Sequence, residues 1–269
     1  MRTGSQGSST MIRIKFSALA FAATALVLAS VTPVLAQSDA EQPNPPRQSW
    51  SFSGMFGIYD KGQLQRGFQV YKEVCSVCHP VKHLYYRDLE ELGYSEDQVK
   101  GIAAQAQVTD GPNDQGEMFQ RPARPSDPIP GPFPNDQAAR VANNGALPPD
   151  LSLIAKAREG GPDYVYAILT GFKDAPGGFK MNKNMYYDEY FAGHQIAMPP
   201  PLSPDQVTFA DGSPSTVPQM AHDVVSFLSW AAEPTLDERH RMGFKVFLFL
   251  IVATGVFYAA KRKIWSRVH

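Results

Sequence analysis

Cysteine is almost absent from this chain, with two residues in 269, at positions 75 and 78. So sparse a supply excludes a disulfide-stapled scaffold and leaves no second thiol pair for a zinc site. Alternating apolar and polar runs are scarce and internal repeats are missing, which points away from an all-β or repeat architecture. Acidic residues are missing from both ends. All 26 of them lie between Gln37 and His240, against 16 of the 25 basic residues, so that segment carries a net charge of −10 while the whole chain carries −1. An acidic domain argues against a nucleic-acid partner and favours a basic one.

What cysteine there is stands in Cys75-Ser76-Val77-Cys78-His79. Two thiols three positions apart followed at once by histidine form the attachment pattern of a c-type haem. The spacing has a chemical reason. Thioether bonds to two vinyl groups clamp one edge of the macrocycle, and the adjacent imidazole then lies under the iron. The competing readings are a redox dithiol, half of a zinc site or a structural disulfide. Zinc needs further ligands at ligand spacing, and a thioredoxin-like motif needs a βαβ pattern that the flanks do not show.

The terminal segments read as targeting and anchoring elements. Met11 opens a secretory signal pattern, with Arg13 and Lys15 ahead of the apolar run Phe16 to Val31 and small residues closing at Val34-Leu35-Ala36. Cleavage there places the mature start near Gln37, with 1–36 as extension and signal. At the other end no charge occurs between Lys245 and Lys261, and Met242 to Ala260 spans roughly 28 Å as a helix, close to a bilayer core. Lys261, Arg262, Lys263 and Arg267 follow, with Trp265 among them at interfacial depth. The expected organisation is a haem domain over 37–240, a transmembrane helix over 241–262 and a tail over 263–269.

Within the exported part the fold class is mainly α, with long irregular loops. Asp60 caps a predicted helix running to about Val74, whose Leu64, Phe68, Tyr71 and Val74 recur at helical spacing and which delivers Cys75 to the haem. Further helices are predicted over Pro162 to Thr170, stopping at Gly171, and over Pro218 to Glu233. Gly111 to Asn135 is rich in proline and predicted to be irregular and surface-lying.

With His79 as the proximal ligand, the sixth position decides the chemistry. An open position suits gas binding or peroxide chemistry, whereas methionine closes it and raises the potential. The methionine candidates are Met55, Met118, Met181, Met185, Met198 and Met220, with His83, His194 and His222 for a bis-histidine site. Met198 is singled out by Pro199-Pro200-Pro201, which would present its thioether from a stiff, extended loop. Met220 falls on the apolar face of a predicted helix and is expected in the core. Arg158, beside Gly160-Gly161, is a candidate partner for a haem propionate.

Several longer stretches go further. They are RGFQVYKEVCSVCH at 66–79, ANNGALPPDLS at 142–152, AREGGPDY at 157–164 and LTG at 169–171. MYYDEYF at 185–191, IAMPPP at 196–201 and FLSWAAEP at 227–234 complete the series. In this order the chain resembles bacterial cytochrome c1, the haem subunit of ubiquinol–cytochrome c reductase (the cytochrome bc1 complex), over nearly everything from Trp50 to Trp265. The resemblance implies a cytochrome c-like domain with one haem c attached at Cys75 and Cys78 and axial ligands His79 and Met198. It further implies Asn143, Pro148, Pro149, Tyr164, Phe191 and Ile196 around the haem and Arg158 at a propionate. The implied activity is electron transfer from the Rieske iron–sulfur protein to a c-type cytochrome. Cytochrome b is then its neighbour in the bilayer of the bacterial inner membrane, in a dimeric complex, with the haem domain in the periplasm and the C-terminus in the cytoplasm. No substrate bond breaks at this haem. Some bacterial relatives carry an additional disulfide, and this chain has no cysteines for one. Two other readings are an anchored cytochrome c feeding a terminal oxidase and, in a different class, an open-iron sensor or peroxidase.

Overall fold

The computed structural model describes residues 43–268. The secretory signal pattern and the mature start near Gln37 therefore lie outside the described residues. The architecture is mainly helical. Helix α1 (Lys61–Glu73) opens on Asp60, whose carboxylate accepts from the Gln63 amide at 2.9 Å, as a good N-cap does. A 3₁₀ turn, Cys75–Val77, follows directly. After a 3₁₀ segment at Tyr86–Leu92 come α2 (Glu96–Ala103), the antiparallel ribbon of β1 (Gln107–Asp110) and β2 (Phe119–Pro122), α3 (Asp136–Ala142), α4 (Ile154–Ala157) and α5 (Gly161–Thr170). A second, shorter ribbon pairs β3 (Tyr186–Tyr187) with β4 (Gln195–Ile196), and the chain closes with α6 (Val217–Ala232) and α7 (Leu236–Trp265).

The core is the crossing of α1 and α6. Leu64, Phe68 and Tyr71 from α1 meet Val224, Phe227 and Leu228 from α6, all buried. Phe227 lies with its ring centroid 5.6 Å from Phe68 and 5.7 Å from Tyr71, within the range where aromatic pairs attract. The helices approach so closely that a Cβ on Gly67 would sit 2.1 Å from the carbonyl oxygen of Asp223, so only glycine fits. Beside that contact Arg66 Nε donates to the buried Asp223 carboxylate at 2.8 Å and its other arm reaches Asp211, also at 2.8 Å. Met220 is fully buried here, as expected of a core residue.

Three predicted helices are found within a residue of their expected ends. Helix α2 and the segment Tyr86–Leu92 were not anticipated, although Ser95 and Gln98 form a reciprocal capping box at the start of α2. The proline-rich stretch 111–135 does lie mostly at the surface, but it is not wholly irregular, because residues 107–110 recruit 119–122 into a ribbon. Arg121 ties that ribbon down by donating to both Asp110 and Asp127. Helix α7 extends past both ends of the expected span. It starts at Leu236, which is buried in the core, and its apolar window is long enough to cross a membrane, with none of that window buried by the protein.

Candidate haem site

Helix α1 and the turn after it wind the two thiols and the histidine into one short stretch. The Cys75 carbonyl accepts from both the Cys78 and the His79 amides, at 3.1 and 2.9 Å. Both thiols are free and half-buried. Burial, reinforced by the neighbouring Cys78, pushes the Cys75 thiol up to about 12.

His79 Nδ1 lies 2.9 Å from the carbonyl oxygen of Pro149. A carbonyl carries no proton, so Nδ1 is the donor and Nε2 keeps its lone pair. Burial lowers the imidazole's proton affinity, while the Pro149 carbonyl opposes that shift. The ring is thus held neutral, in one tautomer, with one nitrogen available to a metal. Two free thiols and that nitrogen within five residues fit the donor set of a c-type haem. Among the described residues no group of three or more His, Cys, Asp or Glu converges as an ion site, so the half-zinc reading finds no further ligands.

The strap Pro148–Ser152 holds this turn from the far side. The Leu151 amide donates to the Pro80 carbonyl at 2.9 Å. The Lys82 amide donates to Asp150 at 3.2 Å, and the His83 amide to Ser152 Oγ at 3.1 Å. Asp150 also accepts from the Ser152 amide at 2.8 Å, turning its carboxylate into a local brace. From the core side, the buried Tyr71 hydroxyl donates to the His79 carbonyl at 3.1 Å. Asn143 sits just before the strap, capping α3 by donating from its side chain to the Ala139 carbonyl at 2.7 Å.

Met198 stands two residues after β4 and is half-buried. Ile196 is paired with Tyr186 across the ribbon. Phe191 is placed by Asp188, whose Oδ1 accepts from the Tyr190 and Phe191 amides, both at 2.9 Å. The ribbon is fastened to the end of α5 by the Glu189 amide, which donates to the Gly171 carbonyl at 3.0 Å. Gly171 permits this contact, since a Cβ there would sit 2.7 Å from the Tyr190 ring. Asp188 itself is fully buried, and its Oδ2 has no hydrogen-bond partner. Burial raises its proton affinity, only partly offset by the two amides. Tyr164, buried on α5, feels the charges of both Arg158 and Asp188. The structure thus brings His79 together with Pro149 and sets Tyr164 within electrostatic range of Arg158 and Asp188. A cleft of about 540 Å³ lined by Leu169, Tyr186, Tyr187, Pro200 and Leu202 lies beside the Met198 loop and includes neither thiol.

The other sixth-ligand candidates sort by their surroundings. His222 uses both ring nitrogens, one on the Ser49 carbonyl at 3.1 Å and one with Gln63 at 2.6 Å. His194 holds the ribbon together, its Nδ1 donating to the Glu189 carbonyl at 3.1 Å while its ring stacks on Tyr187. Met220 accepts from Ser215 inside the core, and Met55 and Met118 point into solvent. Sequence reasoning passed over Tyr71 and Asp188. An acid set within the aromatic run at 185–191 was the available sign of the latter.

The sequence profile of the Cytochrome C1 family matches residues 50–268. The chain belongs to the cytochrome c1 family. It is 50% identical to cytochrome c1 of Rhodospirillum rubrum over 265 residues, covering 91% of this chain and 97% of that protein. It is 47% identical to a mitochondrial cytochrome c1 heme protein of Arabidopsis thaliana, covering 86% of this chain and 74% of that one. It is also 48% identical to a protein of Bradyrhizobium diazoefficiens named cytochrome b/c1, covering 92% of this chain but only 39% of that longer relative. The cofactor of this family member is one c-type haem.

Proposed function

We propose that the haem is bonded through Cys75 and Cys78, with His79 and Met198 as axial ligands. The observation that carries this reading is the His79–Pro149 hydrogen bond, which leaves the Nε2 lone pair free on the same turn as two unpaired thiols. When bound, the haem would supply a one-electron couple, and a thioether ligand from Met198 would raise its potential. The chain's own residues do the rest. Pro149 in the strap orients the His79 imidazole and Tyr71 holds its backbone carbonyl, so the ring is already placed before it would take up a metal. Asn143, Pro148, Pro149, Tyr164, Phe191 and Ile196 would line the macrocycle and exclude water. The Arg158 guanidinium meets a propionate.

The chain then acts as the electron-transfer subunit of a cytochrome bc1 complex. It receives one electron from the Rieske iron–sulfur protein and passes it to a c-type cytochrome, while the quinol chemistry belongs to neighbouring subunits. The relative named cytochrome b/c1 supports cytochrome b as the membrane neighbour. Residues 37–240 form the periplasmic haem domain of a single-pass inner-membrane protein after removal of the signal. Residues 241–262 make the span, and 263–269 stay in the cytoplasm, in keeping with the basic cluster there. The test is quinol-driven reduction of haem c in the purified complex. Reduction is expected to stop when the Rieske protein is extracted and to return when it is added back. Reduction at an unchanged rate without the Rieske protein would contradict the proposed donor, and a complex holding no b-type cytochrome would favour the terminal-oxidase reading.

A further inference from the structure

The segment between Trp50 and Asp60 carries no charged residue, and its apolar side chains divide into two sets. Phe52 and Tyr59 turn inward and are buried, with their rings 5.0 Å apart. Met55, Phe56 and Ile58 turn outward and are 70%, 73% and 53% exposed. Single exposed apolar side chains are ordinary, but three within four residues are not. The loop that carries them is stiff. Its Ser53, Gly57 and Ile58 amides donate to the Trp50, Gly54 and Ser51 carbonyls at 3.1, 3.3 and 3.1 Å. Gly57 is obligatory, because a Cβ there would lie 2.4 Å from the Phe52 carbonyl carbon. The exposed set is thus held outward by a built turn and contributes nothing to the core.

The same loop is fastened to the start of α7 at three points. The Tyr59 amide donates to Asp237 at 3.2 Å, His240 Nδ1 donates to the Gly57 carbonyl at 2.8 Å, and the Phe56 ring lies 6.0 Å from that of Phe244. Positions 237, 240 and 244 share one face of a helix. Phe244 stands at the threshold of the uncharged run 246–260, so Phe56 lies at the level where α7 enters the bilayer. Arg241 and Lys245 flank that level and suit lipid headgroups.

We propose that the loop Ser53–Ile58 is a second membrane contact, with Met55, Phe56 and Ile58 entering the boundary between headgroups and acyl chains beside the anchor. The inference rests on α7 crossing a bilayer. One helix alone leaves a domain free to swing about its attachment, whereas a helix and an adjoining apolar finger fix its tilt. An uncharged, aromatic-containing loop is suited to that depth, since it brings no charge out of water. The haem domain is thereby presented to its redox partners in one orientation.

The test uses the full-length, haem-loaded chain in phosphatidylcholine nanodiscs, with no other subunit present. The haem consumes both native thiols, so Phe56→Cys, Met55→Cys, Met118→Cys and Val256→Cys each introduce a single reactive thiol. Reaction with a membrane-impermeant maleimide is expected to be at least about tenfold slower at positions 55 and 56 than at position 118, which is somewhat less exposed in the protein itself, with position 256 unreactive. If positions 55 and 56 react as fast as 118 while 256 stays protected, the loop contact is wrong and the anchor stands. If 256 also reacts, the anchor reading fails with it. Protection at 55 and 56 that arises only in the assembled complex would show a protein, not lipid, covering the loop, and would overturn the proposal.

Discussion

His79 and Met198 are proposed to face each other across one iron, yet the chain builds their two sides in opposite ways. The His79 side grows out of a thirteen-residue helix locked into the core, and hydrogen bonds with the 148–152 strap and Tyr71 converge on residues 79–83. The Met198 side rests on two strands of two residues each, tied to the end of α5 and the residues after it by the Glu189–Gly171 and Lys173–Tyr187 backbone bonds and braced within by the buried carboxylate of Asp188 and by His194. Bonds from sequence-distant elements on one side and mostly local bonds on the other imply different tolerances. The proximal side should absorb the loss of any one bond, whereas the distal side, with fewer long-range ties, should loosen when the Asp188 carboxylate is removed. Under the proposed ligation, such an asymmetry would fix the ligand needed for haem attachment and leave the closing ligand to tune the potential.

The largest expected effect is at the distal ligand itself. Met198→Leu should leave the haem covalently attached while the midpoint potential falls by on the order of 0.1 V or more, inside the ~0.8 V range that axial ligands span. The reduced variant should also bind carbon monoxide. A redox titration and a carbon monoxide difference spectrum check both, and an unchanged potential with no binding would remove Met198 from the iron.

Next in size is the effect at Asp188. Asp188→Ala deletes two bonds to backbone amides, worth about 1 kcal/mol each, and should loosen residues 188–198. Faster amide exchange at Tyr190 and Phe191 is the readout. Asp188→Asn keeps an acceptor oxygen and should behave nearly as the parent. The same pair of variants carries a pH test. Burial holds the Asp188 carboxyl above its ordinary 3.8, so the folded protein binds this proton more tightly than the unfolded chain. Its contribution to stability is fully present below about 3.8 and is lost as pH rises through the folded value, and Asp188→Asn should flatten that slope in denaturation curves.

On the proximal side Tyr71→Phe removes one bond among several. A loss of about 1 kcal/mol, seen as a drop of a few degrees in Tm, is expected, with the potential nearly unchanged. A collapse of haem attachment in this variant would contradict the redundancy. The smallest effect per residue is electrostatic. The net charge of −10 over 37–240 should speed encounter with a basic electron acceptor at low salt and lose that advantage as the Debye length shrinks to about 8 Å at 0.15 M. Stopped-flow oxidation across a salt series tests this, and a rate that stays flat or rises with salt would leave apolar contact at the haem edge as the better account.

The two sides also differed in how far the sequence disclosed them. Cys75, Cys78 and His79 sit in a local motif whose spacing is itself the chemistry, and Asp60, Gly171 and the apolar faces of α1 and α6 follow helix rules that operate over a few residues. The strap at 148–152 reaches the same turn from about 70 positions away, and nothing in its local pattern announces that Pro149 would supply a carbonyl to His79. Asp188 was hidden for a related reason, since its value comes from burial, a property of the assembled ribbon. Strands of two residues are too short to leave an alternating pattern, so β3 and β4 could not be foreseen. The capping box of α2 at Ser95 and Gln98 was legible and was passed over. The reach of α7 back to Leu236 was not, because hydropathy marks the apolar span and not the polar turns that continue the same helix into the core.

The central claim is that one iron is closed on both sides, by His79 from the built turn and by Met198 from the ribbon. Carbon monoxide added to the reduced, full-length, haem-loaded protein tests it most directly. The account predicts no change in the haem spectrum of the parent chain and stoichiometric binding in Met198→Leu. Binding to the parent at the same affinity as the variant would mean an open sixth position, and would return the protein to the sensor or peroxidase reading.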